Sequence, residues 1–162
     1  MLHLHVFTDG SVNTRLKVGY GAYLVVSDLS RSIDTLKDKV ETKRFEQTSS
    51  TKLELQTLLW SLNQTIAVYG DSDLTLTIYT DCQNIIGLEA RRFGLEQNNY
   101  VTSNNKRLNN YELYQAFYQL TSRINCKLVK VVGHQISNKK DEIDKLFSLV
   151  DKASRRALRG EF

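Results

Sequence analysis

Val6-Phe7-Thr8-Asp9-Gly10-Ser11 is the stretch on which the reading of this chain turns. Leu2, Leu4 and Val6 alternate with His3, His5 and Phe7, the period of a strand with two distinct faces. The alternation then meets a carboxylate followed by glycine. Glycine accepts backbone angles that other residues resist, so the pattern predicts a strand that turns sharply there and leaves Asp9 at its tip. A carboxylate so placed suits a hard divalent cation such as Mg2+, which prefers oxygen ligands and needs few from the protein. It would equally suit a turn in which the aspartate caps a backbone amide. What favours the cation is a second strand-end aspartate and a helix glutamate further along.

Outward from that strand, Gly19 to Val26 reads as a second strand opening on glycines. Leu36 to Gln47 is rich in charge and reads as an exposed edge strand, of the kind that charge protects from wrong pairing. Three strands with short links imply an antiparallel meander. The period then changes. Leu55, Leu58, Leu59, Leu62 and Ile66 recur at three and four residues, the stripe of an amphipathic helix, with Thr51 and Glu54 as a capping box at its start and Gly70 at its end. Leu74, Leu76 and Ile78 alternate into a fourth strand that stops at Thr80-Asp81, followed by a short helix over about 83–89. Arg91 to Lys106 has weak periodicity and reads as a basic surface excursion. Asn109 and Glu112 mark the start of a further helix, Cys126 to Val132 forms a fifth strand ending at Gly133-His134, and a last helix turns Ile143, Leu146, Phe147, Val150, Ala153 and Ala157 inward. The order βββ-α-β-α-α-β-α predicts an α/β fold, one five-stranded mixed sheet with helices on both faces, in a single domain over 1–162.

Composition narrows the class. The 162 residues are 41% hydrophobic and 25% charged, which suits one globular domain with a sizeable core. The net charge of +4 is compatible with a polyanionic partner. Two cysteines, Cys82 and Cys126, support neither a disulfide framework nor a four-ligand zinc site. No leader pattern and no apolar run long enough for a bilayer stand out, so no membrane association is expected and the cytoplasm is the expected setting.

Asp9 and Asp81 each follow a threonine at the end of an alternating strand. In an open α/β sheet, polar groups at the carboxyl ends of neighbouring strands converge on one crevice, and two close carboxylates repel unless a cation joins them. Glu54 can serve the capping box or, from the first helical turn, reach the same end of the sheet. His134 follows a buried strand and could shuttle a proton near neutral pH, or stand solvated in its loop. Asp144 and Asp151 are seven residues apart and so share one helix face beside the apolar stripe.

In order along the chain, Thr8-Asp9-Gly10-Ser11, Gly19-Tyr20-Gly21-Ala22, Leu53-Glu54-Leu55, Tyr79-Thr80-Asp81-Cys82-Gln83, Val132-Gly133-His134 and Val150-Asp151-Lys152-Ala153-Ser154-Arg155 resemble the type I ribonuclease H family. The resemblance implies the ribonuclease H fold and a metal-dependent endoribonuclease that cuts the RNA strand of RNA/DNA hybrids. It implies two Mg2+ ions, with Mn2+ as a substitute, held by Asp9, Glu54, Asp81 and one aspartate of the last helix, and products with 5′-phosphate and 3′-hydroxyl ends. His134 would be the family's mobile histidine, acting in water delivery or product departure. For the fourth acid, the family's spacing from the histidine points to Asp144, whereas the local text, a small residue at +3 and arginine at +4, points to Asp151, and Asp151 is preferred. Substrate contacts fall on Gly10, Ser11, Asn13, Ser50, Thr51 and Gln83. Ser50 and Thr51 stand where the family often has paired asparagines. Arg91 and Arg92, with Lys106 and Arg107, match the family's basic handle for phosphates. No protein partner is implied. The competing expectations are an exonuclease, which would carry an Asp-x-Glu pair on strand one where this chain has Asp9-Gly10-Ser11, and a non-catalytic or differently specific nucleic-acid-binding domain on the same scaffold.

Overall fold

The computed structural model describes residues 1–132 and 141–162. β1 (Leu2–Asn13) and β2 (Val18–Val26) form a hairpin, and α1 (Ile33–Leu36) with a 3-10 turn (Lys37–Lys39) leads to β3 (Glu41–Glu46). Then come α2 (Ser50–Tyr69), β4 (Leu74–Thr80), α3 (Gln83–Ile86), α4 (Leu88–Gln97), α5 (Tyr111–Arg123), β5 (Asn125–Lys130) and α6 (Glu142–Glu161). The five strands lie in the order β3-β2-β1-β4-β5. β1 pairs antiparallel with β2 and β2 with β3, while β1–β4 and β4–β5 are parallel. This is the mixed sheet that the element order predicts.

Strand alternation builds two cores, one on each face. On one, Leu4, Val6, Leu76 and Ile78 pack with Leu55, Leu58 and Leu62 of α2 and Phe117 and Leu120 of α5. On the other, Phe7, Leu24 and Tyr79 meet Leu36 of α1 and Leu146, Phe147 and Val150 of α6. Each such fully buried side chain stabilises the fold by roughly 1.5–3 kcal/mol. β1, central in the sheet and covered on both sides, is therefore the most constrained strand and a rigid base for Asp9.

The structure corrects four expectations. β1 does not turn at Asp9-Gly10; it runs on to Asn13, with Gly10 opposite Gly21 in the ladder. The glycines serve helix packing instead. A Cβ at Gly10 or Gly19 would stand 2.9 or 2.7 Å from Leu53 Cδ2, and one at Gly21 only 2.0 Å from Thr57 Oγ1. Their bare backbones let α2 lie almost on the sheet. Second, the edge strand within 36–47 is shorter than expected: Leu36 closes α1 and is buried, and β3 begins at Glu41. Third, Arg91 to Gln97 belongs to α4 rather than to a surface loop; Arg91 and Arg92 stack over Tyr114 and Tyr118 of α5, a stabilisation invisible to local periodicity. Fourth, the helix starts shift. Ser49, not Thr51, caps α2 by accepting from the Lys52 amide at 3.4 Å, which leaves Glu54 outside any capping box, and α5 starts after Asn110 rather than Asn109. Gly70 ends α2 as expected, at φ 80°. β5 spans Asn125–Lys130, so Val131 and Val132 follow the strand, and Gly133 and His134 lie outside the described residues.

Candidate active site

The parallel pairing of β1 with β4 ends at Phe7 opposite Tyr79. Asp9 and Asp81 each lie two residues beyond that last pair, so the sheet sets them side by side where the two strands begin to part. Glu54 comes from α2, one turn before Thr57, and the glycine-lined seat of that helix brings its carboxylate down to the strand ends. A Cβ at Gly10 would sit 3.5 Å from Glu54 Oε1. One carboxylate oxygen from each of Asp9, Glu54 and Asp81 lies within 4.8 Å of the other two.

This cluster is electrostatically costly. Asp9 is only 4% exposed and Glu54 9%. Burial, then the charge of Asp81, pushes the Glu54 carboxyl up to about 8, against an opposing hydrogen bond from the Gly10 amide. Asp9 is raised as well, first by burial, then by the charges of Glu54 and Asp81, then by a hydrogen bond with Asp151. Glu54 Oε2 is buried with no hydrogen-bond partner, a position that normally demands one. An all-oxygen donor set, crowded, partly buried and with an orphaned oxygen, fits a hard divalent cation: ionised oxygens are what such an ion requires, and its charge removes their repulsion.

An open cleft of about 490 Å³ lies over the cluster, lined by Asp9, Gly10, Ser11, Val12, Ser50, Glu54, Asp81, Cys82, Asp151 and Arg155. Asp151 reaches it from α6, ion-paired with Arg155 one turn on, Nε to Oδ1 3.0 Å. Ser154, fully buried, meets Ser11 hydroxyl to hydroxyl at 3.0 Å and so ties α6 to the end of β1. The small residue at +3 thus does what its size allows, letting the helix approach the strand. Asp144 is placed differently. It forms the capping box at the start of α6, its amide donating to Asp141 at 2.9 Å, and it is not among the residues lining the cleft.

The remaining sequence candidates separate. Gly10, Ser11 and Ser50 line the cleft, whereas Asn13 and Thr51 do not. Asn13 accepts from the amides of Arg15 and Leu16, each at 3.1 Å, and so organises the β1–β2 turn. Gln83 is exposed at the start of α3 and accepts from Lys130 Nζ at 2.7 Å. Arg91 donates to Asn84 at 2.7 Å and Arg92 pairs with Glu96 at 2.8 Å, both on α4. Val12 and Cys82 line the cleft although the sequence offered no functional role for them, and Arg155, which with Lys152, Arg156 and Arg159 puts positive charge late in the last helix, lines it too. For Arg155 the available signal was its place four residues after Asp151, the spacing of neighbours on a helix.

The RNase H family model matches residues 2–151. The chain belongs to the RNase H family. That assignment makes it an enzyme of the ribonuclease H class. The Ribonuclease H of Novosphingobium aromaticivorans is 24% identical over 150 residues, covering 91% of this chain and 96% of its own length. Among solved structures, LC9-RNase H1, a type 1 RNase H with the type 2 active-site motif, superposes with a TM-score of 0.71 at 15% identity, covering 99% of this chain and 74% of that one. LC11-RNase H1, solved in complex with an RNA/DNA hybrid, gives 0.62 at 14% identity, covering 96% and 99%. A foamy viral protease-reverse transcriptase in complex with dsDNA gives 0.62 at 8% identity, covering 94% and 92%. These likenesses are of fold. Among the described residues, no helix is long and apolar enough to cross a membrane.

Proposed function

We propose that this chain, acting as one domain over 1–162, hydrolyses the RNA strand of RNA/DNA hybrids and leaves 5′-phosphate and 3′-hydroxyl ends. The observation that carries the reading is the meeting of Asp9, Glu54 and Asp81, from two strands and a helix, within 4.8 Å of one another in a chain of this family. Asp151, lining the same cleft as Asp9, completes the set of acids that would hold two Mg2+ ions, or Mn2+ in their place.

When bound, such a pair supplies Lewis acidity to the attacking water and to the departing 3′ oxygen of an in-line displacement. The protein's own part is placement. Asp9 is fixed by the central strand and Glu54 by the tight seat of α2, so the donors need little reorganisation as charge develops. Water attacks phosphorus, the P–O3′ bond breaks, and the 3′ oxygen takes up a proton. His134, outside the described residues, is proposed for proton movement and product departure on the family resemblance. Ser50 and Thr51 offer hydroxyls, and Gln83 an amide, to the shallow groove in which an RNA strand displays its 2′-hydroxyls, which is the basis of strand choice. Arg91 and Arg92 contribute sequence-independent contact with phosphates.

The test is a duplex with end-labelled RNA opposite DNA, incubated with Mg2+, with Mn2+ and with EDTA. The expected result is RNA cleavage with either metal and none with EDTA, 3′-hydroxyl termini that a polymerase extends, no cleavage of the matching DNA duplex, and loss of activity in Asp9→Asn. Intact hybrid under all conditions, or cleavage that Asp9→Asn leaves untouched, would refute the proposal.

A further inference from the structure

The cleft poses a problem that its carboxylates do not solve. A polyanionic substrate must enter a space lined by Asp9, Glu54, Asp81 and Asp151, and among the described lining residues Arg155 is the one cation. Arg155 is ion-paired with Asp151, Nε to Oδ1 3.0 Å. The pair is half-open to water, the two side chains being 47% and 25% exposed respectively. An exposed pair one helical turn apart is weak, so giving it up costs little. A guanidinium also matches a phosphate diester as well as it matches a carboxylate, through two parallel N–H donors.

Asp151 is paired with Arg155 and lines the same cleft as Asp9. Its backbone is not free to move, because Ser154 is bonded to Ser11 at 3.0 Å and Val150 is fully buried. What can move is the long arm of Arg155. We propose that Arg155 is a substrate-released clamp: its guanidinium holds the Asp151 carboxylate while the cleft is without nucleic acid and passes to a backbone phosphate when a hybrid enters, leaving Asp151 to the cation. This rests on the ribonuclease reading above and adds an order of events to it. While clamped, Asp151 is a poorer cation ligand, because a positive charge 3.0 Å away competes for the same oxygen. Substrate then both removes the competitor and brings its own phosphate oxygens to the site.

Arg155→Gln removes the charge and keeps much of the length. Without nucleic acid, Mn2+ titrated into this variant and followed by the loss of its free-ion paramagnetic resonance signal should bind roughly threefold to tenfold more tightly than to the parent. With hybrid, KM should rise by a similar factor, with the loss falling on KM more than on kcat. The slope of log KM against log salt should fall by about one, the signature of one lost phosphate contact. Arg155→Lys should lie between the two in all three readings. Unchanged or weaker Mn2+ binding, an unchanged KM, or a melting point so lowered that Arg155 proves merely structural would each overturn the clamp. If the parent chain leaves hybrids uncut, the ribonuclease reading fails, while the Mn2+ titration still decides whether Arg155 competes for Asp151.

Discussion

Gly21→Ala tests how Glu54 is brought to the sheet. The added Cβ would lie 2.0 Å from Thr57 Oγ1, 2.8 Å from its Cγ2 and 2.9 Å from its Cβ, against the 3.4 Å at which ordinary contact begins. Thr57 cannot easily turn aside. It is fully buried, and its hydroxyl donates to the Leu53 carbonyl at 2.8 Å. α2 must therefore lift from β2 by about 1 Å. Overpacking of this kind costs roughly 1–3 kcal/mol, which in a chain of this size is a fall in Tm of roughly 3–10 °C. The effect on turnover should exceed the effect on stability, because Glu54 sits one turn earlier on the same helix. A misplacement of about 1 Å at a reacting centre can cost about a hundredfold. Calorimetry and hybrid cleavage at a temperature where both proteins are folded separate the two effects. Gly21→Ala with Thr57→Ala should be less destabilised than the two single changes added together, since the second removes the two closest atoms. A single variant that melts within about 1 °C of the parent and cleaves at its rate would refute the reasoning, as would strict additivity in the pair.

Two further outcomes follow from the same geometry. The folded-state affinities of Asp9 and Glu54 for a proton are raised, Glu54 to about 8, so their neutral forms stabilise the metal-free protein. That contribution is complete below their ordinary values, near 4, and is lost as pH rises toward about 8. In EDTA the thermal midpoint should fall between pH 5 and pH 8, and both Asp9→Asn and added Mg2+ should flatten that fall; an equal slope in parent and variant would contradict it. On α6, Asp151→Asn should abolish turnover, whereas Asp144→Asn should keep most of it and unfold in urea close to the parent, because the asparagine oxygen can still accept from the Asp141 amide and the backbone amide of residue 144 still donates to Asp141. The reverse pattern would make Asp144 the fourth ligand.

Much of this architecture is written locally. The alternation of Leu4, Val6 and Phe7 and the stripe of Leu55, Leu58 and Leu62 are periodic signals, and each is buried on the face its period implies. Other features depend on partners distant in sequence. Gly10 looks like the end of a strand when read with its neighbours, yet it is a strand interior whose missing side chain makes room for Leu53. α4 has a poor apolar stripe because part of its packing comes from Arg91 and Arg92 lying over Tyr114 and Tyr118. Glu54 fits a capping box on paper, and only the shift of the helix start to Ser49 leaves its carboxylate outside one. At the cleft, the meeting of Asp9 with Asp81 could be anticipated from two aspartates that each follow a threonine after an alternating run, given adjacent parallel strands, although Asp9 lies inside β1 rather than at its end. The place of Arg155 beside Asp151 follows from their spacing of four on a helix, whereas its entry into the cleft depends on how α6 seats on the sheet.

Calorimetric titration of Mg2+ and Mn2+ into the metal-free protein at pH 8 addresses the shared carboxylate site most directly, with Asp9→Asn and Glu54→Gln run beside the parent. Saturable binding to the parent, weakened at least tenfold by either substitution and accompanied by proton release as the raised carboxyls ionise, is the predicted result. Binding that ignores both substitutions would contradict the account, and so would a parent chain that takes up no divalent ion.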